Sequence, residues 1–185
     1  MKLVTWNVNS LKVRLPQVLQ WLEMNPVDVL CIQETKLTDD KFPQAEIEAA
    51  GYHVAFTGQK TYNGVAILSR HPMSEVQKNN PLFEDEQQRI IAATIEGMRI
   101  VCAYVPNGQA LDSEKYPYKL SWLASLREWI QSEMSKYPEL ALLGDYNIAP
   151  DDRDVHDTAA WEGMNLVSPP ERAAFQALLD LGLSD

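Results

Sequence analysis

The sequence predicts a layered α/β sandwich, and three observations predict it. Its 185 residues, 45% of them hydrophobic, suit one globular domain with a substantial core. Short β-like runs outnumber helical stretches. Hairpin signals are mixed with strand–helix units, which a simple parallel sheet would not show.

Taken in order, Lys2–Trp6 reads as a strand. Pro16–Met24 reads as a helix core, with Leu15, Val18, Leu19 and Leu22 on one face and Pro16 in its first turn. Val27–Gln33 is a mostly apolar run of the kind found in buried strands. Pro43–Ala50 is a short helix stopped by Gly51. Tyr52–Phe56 and Gly64–Ser69 are strands. Ile90–Glu96 and Met98–Val105 form a hairpin around Glu96-Gly97. Tyr118–Lys136 is the longest helix, with an apolar stripe of Trp122, Leu123, Leu126, Trp129, Ile130 and Met134. Leu140–Gly144 is another buried strand. Ser168-Pro-Pro-Glu171 spells a capping box for a last helix that runs through Leu181 to Gly182.

Bulk properties narrow the function. No run approaches the ~18 apolar residues that span a bilayer, and Met1–Trp6 enters a strand with no signal-peptide pattern. A cytoplasmic protein without a membrane partner is expected. Cys31 and Cys102 each lie inside an apolar run, as buried reduced thiols do. The net charge of −10 is uneven: residues 1–100 carry 10 basic and 12 acidic groups, and residues 101–185 carry 6 and 14. That balance argues against a broad basic footprint for nucleic acid, although carboxylates that hold a cation are partly neutralised by it.

Four β-like runs end on, or contain near their end, polar groups that a core would not choose. These are Asn7, Glu34, Tyr104, and Asp145 with Asn147 two positions on. Asn or Asp after a strand is commonly a turn residue, but Glu is not a turn former, and Glu34 follows an apolar run. If the strand ends share one edge, two carboxylates and two amide oxygens form a hard, all-oxygen site suited to Mg²⁺ or Mn²⁺ rather than zinc. Such an ion supports in-line displacement at phosphorus. Asp145 is placed to align and deprotonate water, and Tyr104 to donate to a phosphate oxygen. On these residues alone the reading is a generic metal-dependent phosphoryl-transfer enzyme.

At the same residues the sequence resembles the exonuclease III family of apurinic/apyrimidinic endonucleases, within the endonuclease/exonuclease/phosphatase superfamily. The matching segments, in matching order, are Trp6-Asn7-Val8-Asn9-Ser10-Leu11, Ile32-Gln33-Glu34-Thr35-Lys36, Gly64-Val65-Ala66-Ile67-Leu68-Ser69, Arg89-Ile90-Ile91, Tyr104-Val105-Pro106-Asn107-Gly108 and Gly144-Asp145-Tyr146-Asn147-Ile148-Ala149-Pro150. Gln-Glu-Thr-Lys and Tyr-Val-Pro-Asn-Gly resemble the DNA-repair branch more than the sphingomyelinase or inositol-phosphatase branches.

The resemblance implies a deoxyribonuclease I-like four-layer sandwich, with two packed mixed sheets flanked by helices. It implies a Mg²⁺-dependent (Mn²⁺ as substitute) endo/exodeoxyribonuclease of base-excision repair, monomeric, acting on double-stranded DNA with abasic sites or 3′ blocks. Glu34 becomes the principal metal ligand with Asn7 close by, and Asp145 the general base or a second metal contact. Asn147 orients the nucleophile or stabilises the transition state, at the metal site, and Tyr104 contacts the scissile phosphate. Asn9, Lys36, Arg89 and Asn107 become phosphate-contacting candidates. The family also carries a later catalytic Asp and a terminal Asp-His pair. This chain ends at Leu183-Ser184-Asp185, and His53, His71 and His156 do not match that pair. The expectation is therefore a C-terminally shortened copy within 1–185, with the second sheet incomplete and weak or no cleavage. The alternatives are a same-fold hydrolase of a small phosphodiester, which the acidic charge favours, and a non-catalytic binding remnant of the scaffold.

Overall fold

The computed structural model describes residues 1–185 and divides them into two compact units, Met1–Tyr104 with Glu133–Asp145, and Val105–Ser132 with Tyr146–Asp185. The first unit holds both sheets. One sheet contains β1 (Leu3–Asn7), β2 (Val29–Gln33), β3 (His53–Thr57) and β4 (Val65–Ser69), in the order β1-β2-β4-β3. The other contains β5 (Met73–Lys78), β6 (Ile90–Ile95), β7 (Met98–Tyr104) and β8 (Leu140–Asp145), in sequence order.

Each sheet has one parallel pair, β1/β2 and β7/β8, and is otherwise antiparallel. The two mixed sheets pack face to face through Val29, Cys31, Val65 and Ile67 against Ile91, Ala93, Ile95, Ile100 and Cys102. On the outer face of the first sheet, Leu30, Ile32, Ala66 and Leu68 pack against Val18 and Leu22 of α1 (Leu11–Met24) and Ile47 of α2 (Gln44–Ala49). A strand with a helix on one side and a sheet on the other is buried on both faces, which is why Val29–Ile32 is apolar throughout and does not alternate. This is the layered α/β sandwich expected from the sequence.

Parallel neighbours need a crossover, here a helix in each case: α1 joins β1 to β2, and α3 (Lys115–Lys136) joins β7 to β8. The register sets Asn7 beside Gln33 and Tyr104 beside Asp145. Both parallel pairs therefore deliver their polar groups at their carboxyl ends, where open α/β sheets bind ligands. Gly144 pairs with Ala103 of β7, and a Cβ at 144 would overlap the Ala103 carbonyl oxygen. Gly144→Ala is expected to push β8 off β7 and cost roughly 1–3 kcal/mol, as overpacking does. Its urea midpoint should fall measurably below that of the wild type; an unchanged midpoint would show that β8 can shift freely.

Several elements differ from expectation. The first helix begins at Leu11, so Pro16 is interior and leaves one helical carbonyl without its N–H partner. Strand β5 (MSEVQK) is mostly exposed and bulged between Ser74 and Gln77, and its polar sequence gave no apolar run to find. Strand β8 is half-buried along its whole length, not fully buried. It is the outer strand of a second sheet only partly formed. The hairpin is as expected, with Glu96 and Gly97 both at positive φ. Cys31 and Cys102 are buried free thiols.

The second unit contains most of α3, the short α4 (Thr158–Trp161) and α5 (Pro169–Leu179). Ser168 and Glu171 form the expected capping box, but α5 ends two residues before Leu181. Helix α3 starts three residues earlier than expected, with Pro117 in its first turn. Tyr116 Oη and Ser168 Oγ lie 2.7 Å apart, and the Tyr146 and Phe175 rings meet edge to face. Arg172 donates to the Ala149 carbonyl and pairs with Asp152. No helix is long and apolar enough to cross a membrane.

Candidate active site

The first unit brings Asn7, Glu34, Tyr104 and Asp145 into one hydrogen-bonded group. The Asn7 side-chain NH₂ donates to Glu34 Oε1 at 2.9 Å and to Asp145 Oδ2 at 2.7 Å. The Tyr104 hydroxyl donates to the same Glu34 oxygen at 2.9 Å. Lys36 Nζ lies 2.8 Å from Glu34 Oε2 and also donates to Asn9 Oδ1. Asn7 turns its amide oxygen away from the carboxylates, to accept from the Asn9 backbone N–H at 3.0 Å. Two carboxylates from different sheets thus converge on a single nitrogen atom.

The loops that carry these groups are braced by backbone bonds. After β1, the N–H groups of Ser10 and Leu11 donate to the carbonyls of Glu34 and Thr35; after β2, Thr35 and Lys36 donate to Gly64 and Asn63. The bracing holds Asn9, Glu34 and Lys36 at positive φ (45°, 57° and 55°), a conformation rarely adopted by non-glycine residues. Strain of this kind persists only where the surroundings over-determine it. Gly64, at φ +87°, is required here because a Cβ would collide with Thr35 Oγ1.

Partial burial raises the Glu34 pKa, but hydrogen bonds from Lys36, Asn7 and Tyr104, with the Lys36 charge, prevail and hold it below the ordinary value. Burial pushes the Tyr104 phenol far above its usual range, and Glu34 adds to this against the opposing charge of Arg89. Tyr104 is therefore a neutral donor at any physiological pH and does not act as a base. Arg89 lies over the Tyr104 ring, 4.9 Å from its centroid, and donates to the Tyr104 carbonyl at 3.3 Å and to Gln87 Oε1 at 2.9 Å. Tyr104→Phe removes one of the donors to Glu34, so the Glu34 pKa is expected to rise. A carboxyl-carbon NMR titration that leaves it in place would show that Tyr104 does not hold this carboxylate.

Asn107 and Asn147 meet in the second unit. Asn107 Nδ2 donates to Asn147 Oδ1 at 3.0 Å, and Asn147 Nδ2 donates to the Val105 carbonyl at 3.0 Å. Asn165 Nδ2 donates to the carbonyl and the side-chain oxygen of Asn107. Lys119 and Glu171, which sequence reasoning missed as site residues, are wholly buried beside them, with Lys119 Nζ reaching the carbonyls of both Asn107 and Asn147. A signal was present: Lys119 extends the apolar stripe of Trp122, Leu123 and Leu126 by one turn, where a solvated lysine would not sit.

No group of three or more His, Cys, Asp or Glu side chains is arranged to hold a metal ion. A closed zinc centre has no ligand set here. The Glu34–Asp145 pair has another chemistry: two oxygen-only carboxylates, one of them kept ionised by its donors. That donor set fits a hard divalent cation, which is typically held by one or two carboxylates and otherwise by water and phosphate oxygens.

Comparison with known proteins agrees with this architecture. Residues 4–182 match the model of the endonuclease/exonuclease/phosphatase family. Exodeoxyribonuclease III of Haemophilus influenzae is 34% identical over all of this chain and 74% of its own length. The 3′ phosphatase NExo from Neisseria, solved with a product DNA hairpin, superposes with a TM-score of 0.98 at 51% identity, covering all of this chain and 72% of that one. An AP endonuclease from Archaeoglobus fulgidus superposes with a TM-score of 0.94 at 38% identity, covering 98% of this chain and 70% of that one. The fold is thus the deoxyribonuclease I-like α/β sandwich, and the chain belongs to the endonuclease/exonuclease/phosphatase family, among the exonuclease III and AP endonuclease proteins.

Proposed function

We propose that the chain is a Mg²⁺-dependent DNA phosphoesterase of base-excision repair that processes blocked 3′ ends and incises the backbone 5′ to abasic sites. One observation carries the proposal: Glu34 and Asp145, from the ends of two parallel strand pairs in different sheets, share the Asn7 NH₂ while Tyr104 donates to Glu34. Glu34 is the residue to hold Mg²⁺ (Mn²⁺ as substitute), with Asp145 next to it. When bound, such an ion supplies Lewis-acid stabilisation of charge at the phosphoryl group. Asp145 aligns water and accepts its proton, and Tyr104 supplies a neutral O–H to a phosphate oxygen. Asn147 orients the nucleophile. Asn9, Lys36, Arg89 and Asn107 are the candidates for contact with the phosphates. Arg89 also lies over the Tyr104 ring and donates to its carbonyl.

The 51% identical Neisseria protein is a 3′ phosphatase, so a 3′-phosphorylated nick is the first substrate to test. The assay offers this nick, abasic duplex, intact duplex and a small phosphodiester, each with Mg²⁺ or chelator. Protein in excess over DNA ensures that a single slow turnover is still counted. The expected result is weak Mg²⁺-dependent release of 3′ phosphate and abasic-site incision, seen with protein in excess, with intact duplex and small ester spared. The net charge of −10 favours a second reading, hydrolysis of a small ester, and cleavage of that ester alone would establish it. Metal-independent DNA binding without cleavage would replace both with a binding module.

A further inference from the structure

We propose that Lys119 is a positioning residue whose buried ammonium locks Asn107 and Asn147 in one arrangement; this rests on the role proposed above for Asn147. Lys119 and its partner Glu171 are both fully buried. The ammonium has three donors, and its acceptors include Asn147 O at 2.6 Å, Asn107 O at 3.2 Å and Glu171 Oε1. Glu171 is fixed in turn by the Ser168 N–H and hydroxyl through its other oxygen.

Taking two charges out of water is costly, and a pair of this kind is often no more stabilising than an apolar replacement. Fold stability alone therefore gives α3 little reason for a lysine on its apolar stripe. The geometry supplies another reason. Asn147 stands at φ 47°, in the left-handed region that asparagine enters when its polar groups are hydrogen-bonded. Its support is Lys119 on the carbonyl and Val105 on the side-chain NH₂, which leaves Oδ1 to receive Asn107. Gly108 lies against this lysine, and a Cβ there would press on Lys119 Cδ at 3.1 Å.

The test compares three variants by the side-chain amide NMR signals of Asn107 and Asn147, assigned with N107D and N147D. Lys119→Met combined with Glu171→Gln removes the ammonium without stranding a charge. Glu171→Gln alone keeps the ammonium and a residue able to cap α5. Leu126→Ala is a destabilised control elsewhere on α3. The double variant is expected to move both Asn signals, while Glu171→Gln and Leu126→Ala leave them in place. On DNA, the double variant should lower kcat about ten- to hundredfold with KM within about twofold, the scale of losing a supporting shell. Unmoved Asn signals in the double variant would overturn the proposal, as would equal movement in Leu126→Ala. The NMR comparison decides this even if the chain cleaves none of the DNA substrates, an outcome that would instead remove the proposed function.

Discussion

Glu34→Gln is expected to lower the Mg²⁺-dependent cleavage rate by roughly two to three orders of magnitude or more, the scale of losing one preorganised electrostatic group from a reacting centre. The substitution keeps the size of the side chain and the oxygen that accepts from Asn7 and Tyr104. It removes the negative charge, and with it the Lys36 ion pair at 2.8 Å. The Mg²⁺ concentration for half-maximal rate should rise sharply, because a neutral amide is a poor substitute for a carboxylate toward a hard cation. A variant with the wild-type rate and metal dependence would exclude Glu34 as the ligand.

The same residue gives a pH expectation. The folded Glu34 pKa is depressed below the unfolded value of about 4.3. Its hydrogen bonds therefore contribute stability that is fully present above that pH and is lost as pH falls through the lower, folded value. Glu34 is only partly buried and keeps contact with solvent, so screening makes the effect modest. In the neutral range Glu34 stays ionised, and its titration cannot limit metal binding. An acid limb of the rate near neutrality would therefore report another group.

The parts of this site that were legible in the sequence share a physical cause. Glu34 follows a fully buried run and Asp145 ends an apolar run that is half-buried, so each marks the point where a strand leaves the core. Because both runs belong to parallel pairs, leaving the core at the carboxyl end also means arriving at the site. What was not legible depends on groups distant in sequence. The contact of Arg89 with Tyr104, fifteen residues on, arises because the hairpin of β6 and β7 brings them together. The burial of Lys119 needs the loops at 107 and 147 and the start of α5. None of these is encoded in the local pattern around 119.

Asn7→Asp is expected to have the second largest effect, and it tests whether one nitrogen holds two carboxylates together. In the wild type the Asn7 NH₂ presents a hydrogen to each of Glu34 and Asp145. Aspartate has no hydrogen to give when ionised, so two favourable contacts become two like-charge contacts. With metal chelated, the variant should lose roughly 1–3 kcal/mol of stability, the cost of leaving such acceptors unsatisfied. Added Mg²⁺ should then raise its melting temperature more than that of the wild type. A cation shared by three carboxylates binds the folded state more tightly, and ligand binding stabilises by mass action. Cleavage should nonetheless fall, because the extra carboxylate occupies coordination that a phosphate oxygen and water need. Equal melting temperatures for the two proteins in chelator would mean that Asn7 is not the bridge. A stable variant that cleaves at the wild-type rate would mean that the two carboxylates do not need one.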